Sequence, residues 1–156
     1  MTGHEVIVNC EEETNRLAEV LAGQLSWPQT LLLKGDLGAG KTSFSRALIR
    51  ALSGDAQLNV PSPTFTLLQT YDTAKGSVHH YDLYRLDDPE EIFELGWDES
   101  MEQALTLIEW PDRAGVYLPK SFVSITINKV KGEEHKRIIR IDGLPQEVDL
   151  NAMVRQ

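Results

Sequence analysis

Gly35-Asp36-Leu37-Gly38-Ala39-Gly40-Lys41-Thr42 fits the phosphate-loop pattern G-x-x-x-x-G-K-[ST] at every fixed position. In that pattern the glycines let the backbone turn tightly enough for several N–H groups to converge on one phosphate. The lysine, Lys41, reaches the outer phosphates, and the hydroxyl of Thr42 is offered to magnesium. Asp36, Gly38, Ala39, Gly40, Lys41, Thr42 and Ser43 are the expected contacts to the nucleotide. Upstream, Thr30-Leu31-Leu32-Leu33 is a short apolar run of the kind that forms a buried parallel strand. Downstream, Phe44, Ala47, Leu48, Ala51 and Leu52 recur at helical spacing until Gly54 stops them. Strand, loop and helix stand in the order that aims a helix N-terminus at the phosphates.

The chain of 156 residues suits one domain spanning 1–156, with no internal repeat or low-complexity linker. Hydrophobic content of 41% and charged content of 25% describe an ordinary globular protein. Met1-Thr2-Gly3-His4-Glu5 lacks the basic and apolar regions of a signal peptide, and no apolar run approaches membrane-spanning length, so a cytoplasmic protein is expected. Cys10 is the only cysteine, which excludes an internal disulfide or a cysteine zinc cluster. A net charge of −9 argues against clamping nucleic acid by phosphate neutralisation. It does not exclude ATP, whose phosphates are held by oriented backbone dipoles, one lysine and a metal ion.

Around the loop, His4 to Cys10 reads as a first strand, and Asn9 as the cap of a helix starting near Glu11. Glu11, Glu12 and Glu13 suit a first helical turn, and this entry could also lie beside a bound base. Leu17, Val20, Leu21 and Leu25 give that helix its apolar face, and Trp27-Pro28 ends it. Val60-Pro61-Ser62-Pro63-Thr64-Phe65-Thr66 is held extended by its prolines. It is either a surface turn or a switch-like segment whose Ser62, Thr64 and Thr66 face the terminal phosphate. Phe65 to Tyr71 and Ser77 to Leu83 read as strands joined at Asp72–Gly76. His79 and His80, adjacent on a strand, point to opposite faces and do not share a metal ion easily. Asp82 either orients water near a magnesium triphosphate or pairs with Arg85 or Lys41. Asp87-Asp88-Pro89-Glu90-Glu91 starts a helix with Ile92, Phe93 and Leu95 on its apolar side and Gly96 at its end. Trp97 to Gln103 is a further short helical or irregular piece.

Ala104 to Glu109 is an apolar strand ending in a carboxylate, the form of the second metal-binding element in phosphate-loop NTPases, although a buried acid there could also pair with a lysine. Ser121 to Val130 and Lys136 to Ile141 alternate as two strands around a turn near Gly132, followed by a short helix from Glu147 to Val154. Asn128-Lys129-Val130-Lys131 begins like the guanine-reading motif N-K-x-D, but Lys131 stands where the acid would accept hydrogen bonds from guanine. GTP is thereby disfavoured, while Lys129 or Lys131 either flanks the nucleotide or ends a solvated strand. The whole pattern predicts an α/β fold, a P-loop NTPase-like three-layer sandwich with a mostly parallel central sheet and antiparallel hairpins around 65–83 and 121–141.

Taken together, Gly35 to Thr42, Ser62-Pro63-Thr64-Phe65-Thr66, His80-Tyr81-Asp82-Leu83-Tyr84-Arg85-Leu86 and Glu109-Trp110 closely resemble the bacterial TsaE (YjeE) family of small ATPases, from about Val8 to Trp110. The resemblance implies an ATP-binding, ATP-hydrolysing subunit of the machinery that installs threonylcarbamoyladenosine beside the anticodon of tRNAs reading codons that begin with A. It implies TsaD and TsaB as partners, with tRNA reached only through them. Carried over by motif position, Lys41 binds the outer phosphates, Thr42 and Glu109 hold magnesium, Asp82 assists hydrolysis, and Thr64 lies in the switch segment. Phe65 stands where a tyrosine is also common in the family, so a hydroxyl is missing there. Two rival readings of the residues are a small-molecule kinase, for which the arginines form no clustered lid, and a nucleotide-gated binding protein.

Overall fold

In the computed structural model, which describes residues 2–36, 38–145 and 149–150, seven strands form one sheet. The strands are β1 (Thr2–Val8), β2 (Gln29–Lys34), β3 (Leu68–Thr73), β4 (Gly76–Asp82), β5 (Leu105–Glu109), β6 (Val123–Val130) and β7 (Glu133–Leu144). Their spatial order is β1-β7-β6-β2-β5-β4-β3. The four central strands, β6, β2, β5 and β4, run parallel, and β3, β7 and β1 add antiparallel edges. This is the α/β sheet with a parallel centre and flanking hairpins that the sequence predicts.

The sheet is covered on both faces because its central strands are apolar on both. Leu31, Leu33, Leu105, Leu107 and Ile125 pack under α1 (Glu11–Ala22) and α2 (Lys41–Ser53), whose Leu17, Leu21, Phe44, Leu48 and Ile49 are fully buried. On the opposite face Leu32, Ile108 and Tyr81, in register across β2, β5 and β4, meet Ile92, Trp97 and Ala114. Those last residues come from a 3-10 segment at Pro89–Leu95, from α3 (Trp97–Gln103) and from a second 3-10 segment at Pro111–Tyr117. Strand alternation thus sorts neighbouring leucines into different layers.

Several boundaries differ from the sequence reading for local reasons. Cys10, not Asn9, is the N-cap of α1; Glu13 reaches back instead and accepts from the Asn9 backbone N–H at 2.8 Å and from its Nδ2 at 3.2 Å. Helix α1 stops at Ala22, before Trp27-Pro28, and Leu25 is buried beyond its end. The expected strand from Phe65 begins only at Leu68, because Leu67 has φ 67° and its N–H bonds the Pro63 carbonyl at 2.7 Å, closing a turn. The Pro89 segment is 3-10 rather than α, with Asp88 and Glu91 completing a capping box. Its Phe93 is exposed and stacks edge-on against Tyr117, with ring centroids 4.9 Å apart, instead of joining Ile92 in the core. The helix expected from Glu147 to Val154 lies outside the described residues, apart from Asp149 and the buried Leu150.

Candidate functional site: a cleft at the carboxyl ends of the parallel strands

The loop that follows β2 passes into α2 through Gly40, which takes φ 108°. A backbone there in the positive-φ region suits glycine and turns the first amides of α2 toward the loop's concave side. On the strands next to β2, Asp82 at the end of β4 pairs in register with Glu109 at the end of β5, and Glu109 pairs with Leu33. Since Leu33 faces the α2 side, Asp82 and Glu109 do too. The result is a cleft of about 440 Å³ lined by Gly38, Gly40, Lys41, Thr42, Ser43, Thr64, Asp82, Tyr84, Arg85, Glu109 and Trp110. It opens beyond the carboxyl ends of parallel strands, where open α/β sheets bind their ligands.

Lys41 is 6% exposed. Its ammonium donates to the carbonyls of Gly35 and Asp36 and lies 4.2 Å from the centre of the Trp110 ring. Burial pushes the ammonium below its ordinary value, while the carboxylates of Glu109, Asp36 and Asp82 pull it back up. Trp110 itself sits at φ 57°, a left-handed conformation that costs a bulky residue energy and that turns its ring under the lysine. Glu109, 2% exposed, accepts from Ser45 Oγ of α2 at 3.2 Å and meets His80 Nε2 at 2.6 Å.

Asp82 accepts from Thr64 Oγ1 at 3.1 Å on one oxygen and from the Tyr84 backbone N–H at 3.0 Å on the other. The Asp82 N–H bonds the Leu67 carbonyl at 3.0 Å, so the turn carrying Thr64 is tied to the strand that carries the acid. Ser62 and Thr64 share a hydrogen bond of 2.7 Å. Of the three hydroxyls only Thr64 lines the cleft: Ser62 is exposed and touches it only through Thr64, and Thr66 is exposed and accepts from Gln69. Asp82 is not ion-paired with Arg85 or Lys41: Arg85 instead lies over Phe65, 4.5 Å from the ring centre. The histidine pair divides as alternation requires, His80 to Glu109 and His79 to Ser100 on the other face at 2.6 Å.

Beside the loop is a second, smaller pocket of about 190 Å³ lined by Cys10, Glu11, Thr14, Ala39, Gly40, Ser43, Ile127, His135 and Arg137. Arg137 Nε braces the loop by donating to the Ala39 carbonyl at 2.9 Å. A Cβ added to Gly38 would stand 3.2 Å from Lys129 Nζ, so Lys129 flanks the loop as well. Glu11, Thr64, Asp82, Glu109 and Lys129, scattered through the sequence, lie around the glycine loop that carries Asp36. The sequence reading missed His80 and Ser45 behind Glu109, and Thr14, His135 and Arg137 in the smaller pocket. His80 had a usable signal, standing two residues before Asp82 on one strand and hence on the same face. Arg137 and His135 had none, because only the register of β7 against β6 brings them there.

The sheet order and a phosphate loop between a central parallel strand and its helix define a P-loop NTPase-like α/β protein. A family model described as "Threonylcarbamoyl adenosine biosynthesis protein TsaE" matches residues 8–139, and the chain belongs to that family. A protein from Rickettsia felis named tRNA threonylcarbamoyladenosine biosynthesis protein TsaE is 45% identical, covering 87% of this chain and 78% of its own. A Bacillus subtilis protein of the same name is 34% identical over 80% and 77% of the two chains. The crystal structure of Bacillus subtilis YdiB superposes with a TM-score of 0.75 at 26% identity, covering 99% of this chain and 92% of that one.

Proposed function

We propose that this single-domain chain, 1–156, is a cytoplasmic ATPase that binds magnesium and ATP in the cleft and acts on a TsaD–TsaB complex in the threonylcarbamoyladenosine modification of tRNA. The carrying observation is the juxtaposition of the glycine loop with two in-register acids, Asp82 and Glu109, at the ends of parallel strands. In this reading the base occupies the smaller pocket beside Ala39 and Ser43, which Glu11 lines, and Lys129 flanks the loop.

The donor set fits magnesium. Glu109 and Thr42 offer hard oxygens at the cleft, and among the described residues no trio of His, Cys, Asp or Glu is grouped to cage a metal ion. Magnesium asks for no such cage, since it is usually bound through one or two carboxylates, waters and substrate phosphates. Bound between Thr42, Glu109 and the phosphates, it would supply charge neutralisation. The chain's own groups do the rest. Lys41 exchanges the Gly35 and Asp36 carbonyls for phosphate oxygens, the amides at the start of α2 hold the anion, and Asp82, with Thr64 on it, orients the attacking water. Water adds to the terminal phosphorus as its bond to the bridging oxygen breaks, releasing ADP and inorganic phosphate.

Turnover of ATP by the purified chain, alone and with TsaD and TsaB, tests the proposal. It should rise in the complete mixture, and Lys41→Ala and Glu109→Ala should each abolish both turnover and tRNA modification in a complementation assay. Unchanged turnover with the partners present would overturn the partner claim, and normal modification in either variant would overturn the assigned site.

A further inference from the structure

Both hydrogen bonds described for the Glu109 carboxylate fall on the same oxygen. His80 Nε2 and Ser45 Oγ both reach Oε2, at 2.6 Å and 3.2 Å, while Glu109 lines the cleft. We propose that His80 is the positioning residue of the metal-binding carboxylate, clamping Oε2 from the neighbouring strand so that Oε1 is presented to the cleft. The inference rests on the reading of Glu109 as a magnesium ligand and adds what holds that ligand in place.

The register explains why a histidine can do this. His80 pairs with Leu107, two residues before Glu109 on the adjacent parallel strand, so its ring starts one pleat behind the carboxylate on the same face. A carboxylate only accepts, so Nε2 carries the hydrogen and donates it to Oε2. The other ring nitrogen, Nδ1, is buried without a protein partner among the described residues. The ring is therefore held in this tautomer by Glu109 alone, and at 1% exposure water does not compete for the bond. Ser45 closes the clamp from α2, one turn beyond Thr42 and on the same helix face as it. Left unclamped, a glutamate with three side-chain torsions would spread over several rotamers. Partners of this kind behind a ligating group are typically worth roughly 10- to 100-fold in metal affinity.

The test compares nucleotide affinity with magnesium and with EDTA, by calorimetry on the full chain with ATP, so that hydrolysis rate is not the readout. His80→Gln keeps an N–H near the Nε2 position, whereas His80→Asn keeps one only near Nδ1. In His80→Asn the gain in affinity due to magnesium should fall roughly tenfold while affinity in EDTA is unchanged; in His80→Gln most of the gain should remain. Ser45→Ala, which removes the other donor to Oε2 from the buried face of α2, should lose part of the same gain. A full magnesium gain in His80→Asn overturns the proposal, and so does an equal loss with and without magnesium, which would mark a general structural role. Should His80→Asn fail to fold, an undiminished gain in Ser45→Ala overturns it. A wild-type protein that binds ATP without any magnesium gain would overturn the metal assignment of Glu109 itself and the proposal with it.

Discussion

His79 and His80 show how much one step along a strand changes a side chain's work. His80 turns to Glu109 on the cleft side, while His79 turns to Ser100, whose buried hydroxyl also meets the Tyr81 hydroxyl at 2.7 Å. That second network ties α3 to β4 beneath the Tyr81–Trp97 ring pair. Burial holds His79 below its ordinary value of 6.5, with Glu99 and Asp72 pulling the other way. Between its folded value and 6.5 the unfolded chain therefore binds more protons at this site than the folded chain. The stability contributed by the neutral ring is complete above 6.5 and is lost as pH falls through that window. His79→Asn places an amide near Nδ1 to keep Ser100 bonded and removes the titration. Its unfolding midpoint should decline less than the wild type's between about pH 7.5 and about pH 5.5, by thermal denaturation. Parallel declines would show that His79 contributes nothing to the pH dependence.

At the scale of elements, α2 ends at both termini on a left-handed glycine, Gly40 at φ 108° and Gly54 at φ 66°, and neither would suffer a steric clash from an added Cβ. Alanine at either site therefore tests backbone strain alone, of order 1–3 kcal/mol. Only Gly40 borders the cleft, so Gly40→Ala should weaken ATP binding by roughly tenfold or more, whereas Gly54→Ala should lower stability by about 1 kcal/mol and leave ATP affinity unchanged. Calorimetry and urea denaturation on both variants separate the two effects, and equal ATP affinities would contradict the role given to the loop's entry into α2. The strand, loop and helix around these glycines were legible in the sequence because each signal is local: a leucine run, glycines at fixed spacing, a helical apolar stripe. The 3-10 segment at Pro111–Tyr117 was not, since it begins from the left-handed Trp110, a conformation no tryptophan advertises. The His80–Glu109 contact was legible only in half, because alternation gives the face of His80 but not which strand lies beside it. Leu67 at φ 67° shortened β3 for a similar reason: its turn is held by the Pro63 and Asp82 backbones, and the latter is distant in sequence.

Across the whole molecule, charge is distributed unevenly. Lys41, Lys129 and Arg137 gather around the loop, and Arg85 and Arg113 lie over the rings of Phe65 and Tyr84 near the cleft mouth, at 4.5 Å and 6.0 Å from their centres. The segment from Asp87 to Gln103, on the opposite face of the sheet, carries acids and no lysine or arginine, and the chain totals 24 acidic against 15 basic residues. A protein that grips tRNA by its own surface releases counterions in proportion to the phosphates it neutralises, which gives a steep salt dependence. Here the cations at the cleft lie against the loop or over aromatic rings, and the chain as a whole is acidic. The isolated chain should therefore bind tRNA more weakly than about 10⁻⁵ M near about 0.15 M salt, with a log–log salt slope no steeper than about −2, by fluorescence anisotropy. ATP with magnesium should leave that value unchanged or weaken it, because the ligand occupies the cleft around which Lys41, Arg85 and Lys129 lie. Affinity below about 10⁻⁶ M with a steep salt slope would place tRNA directly on this chain and contradict its assignment to the partners' surface.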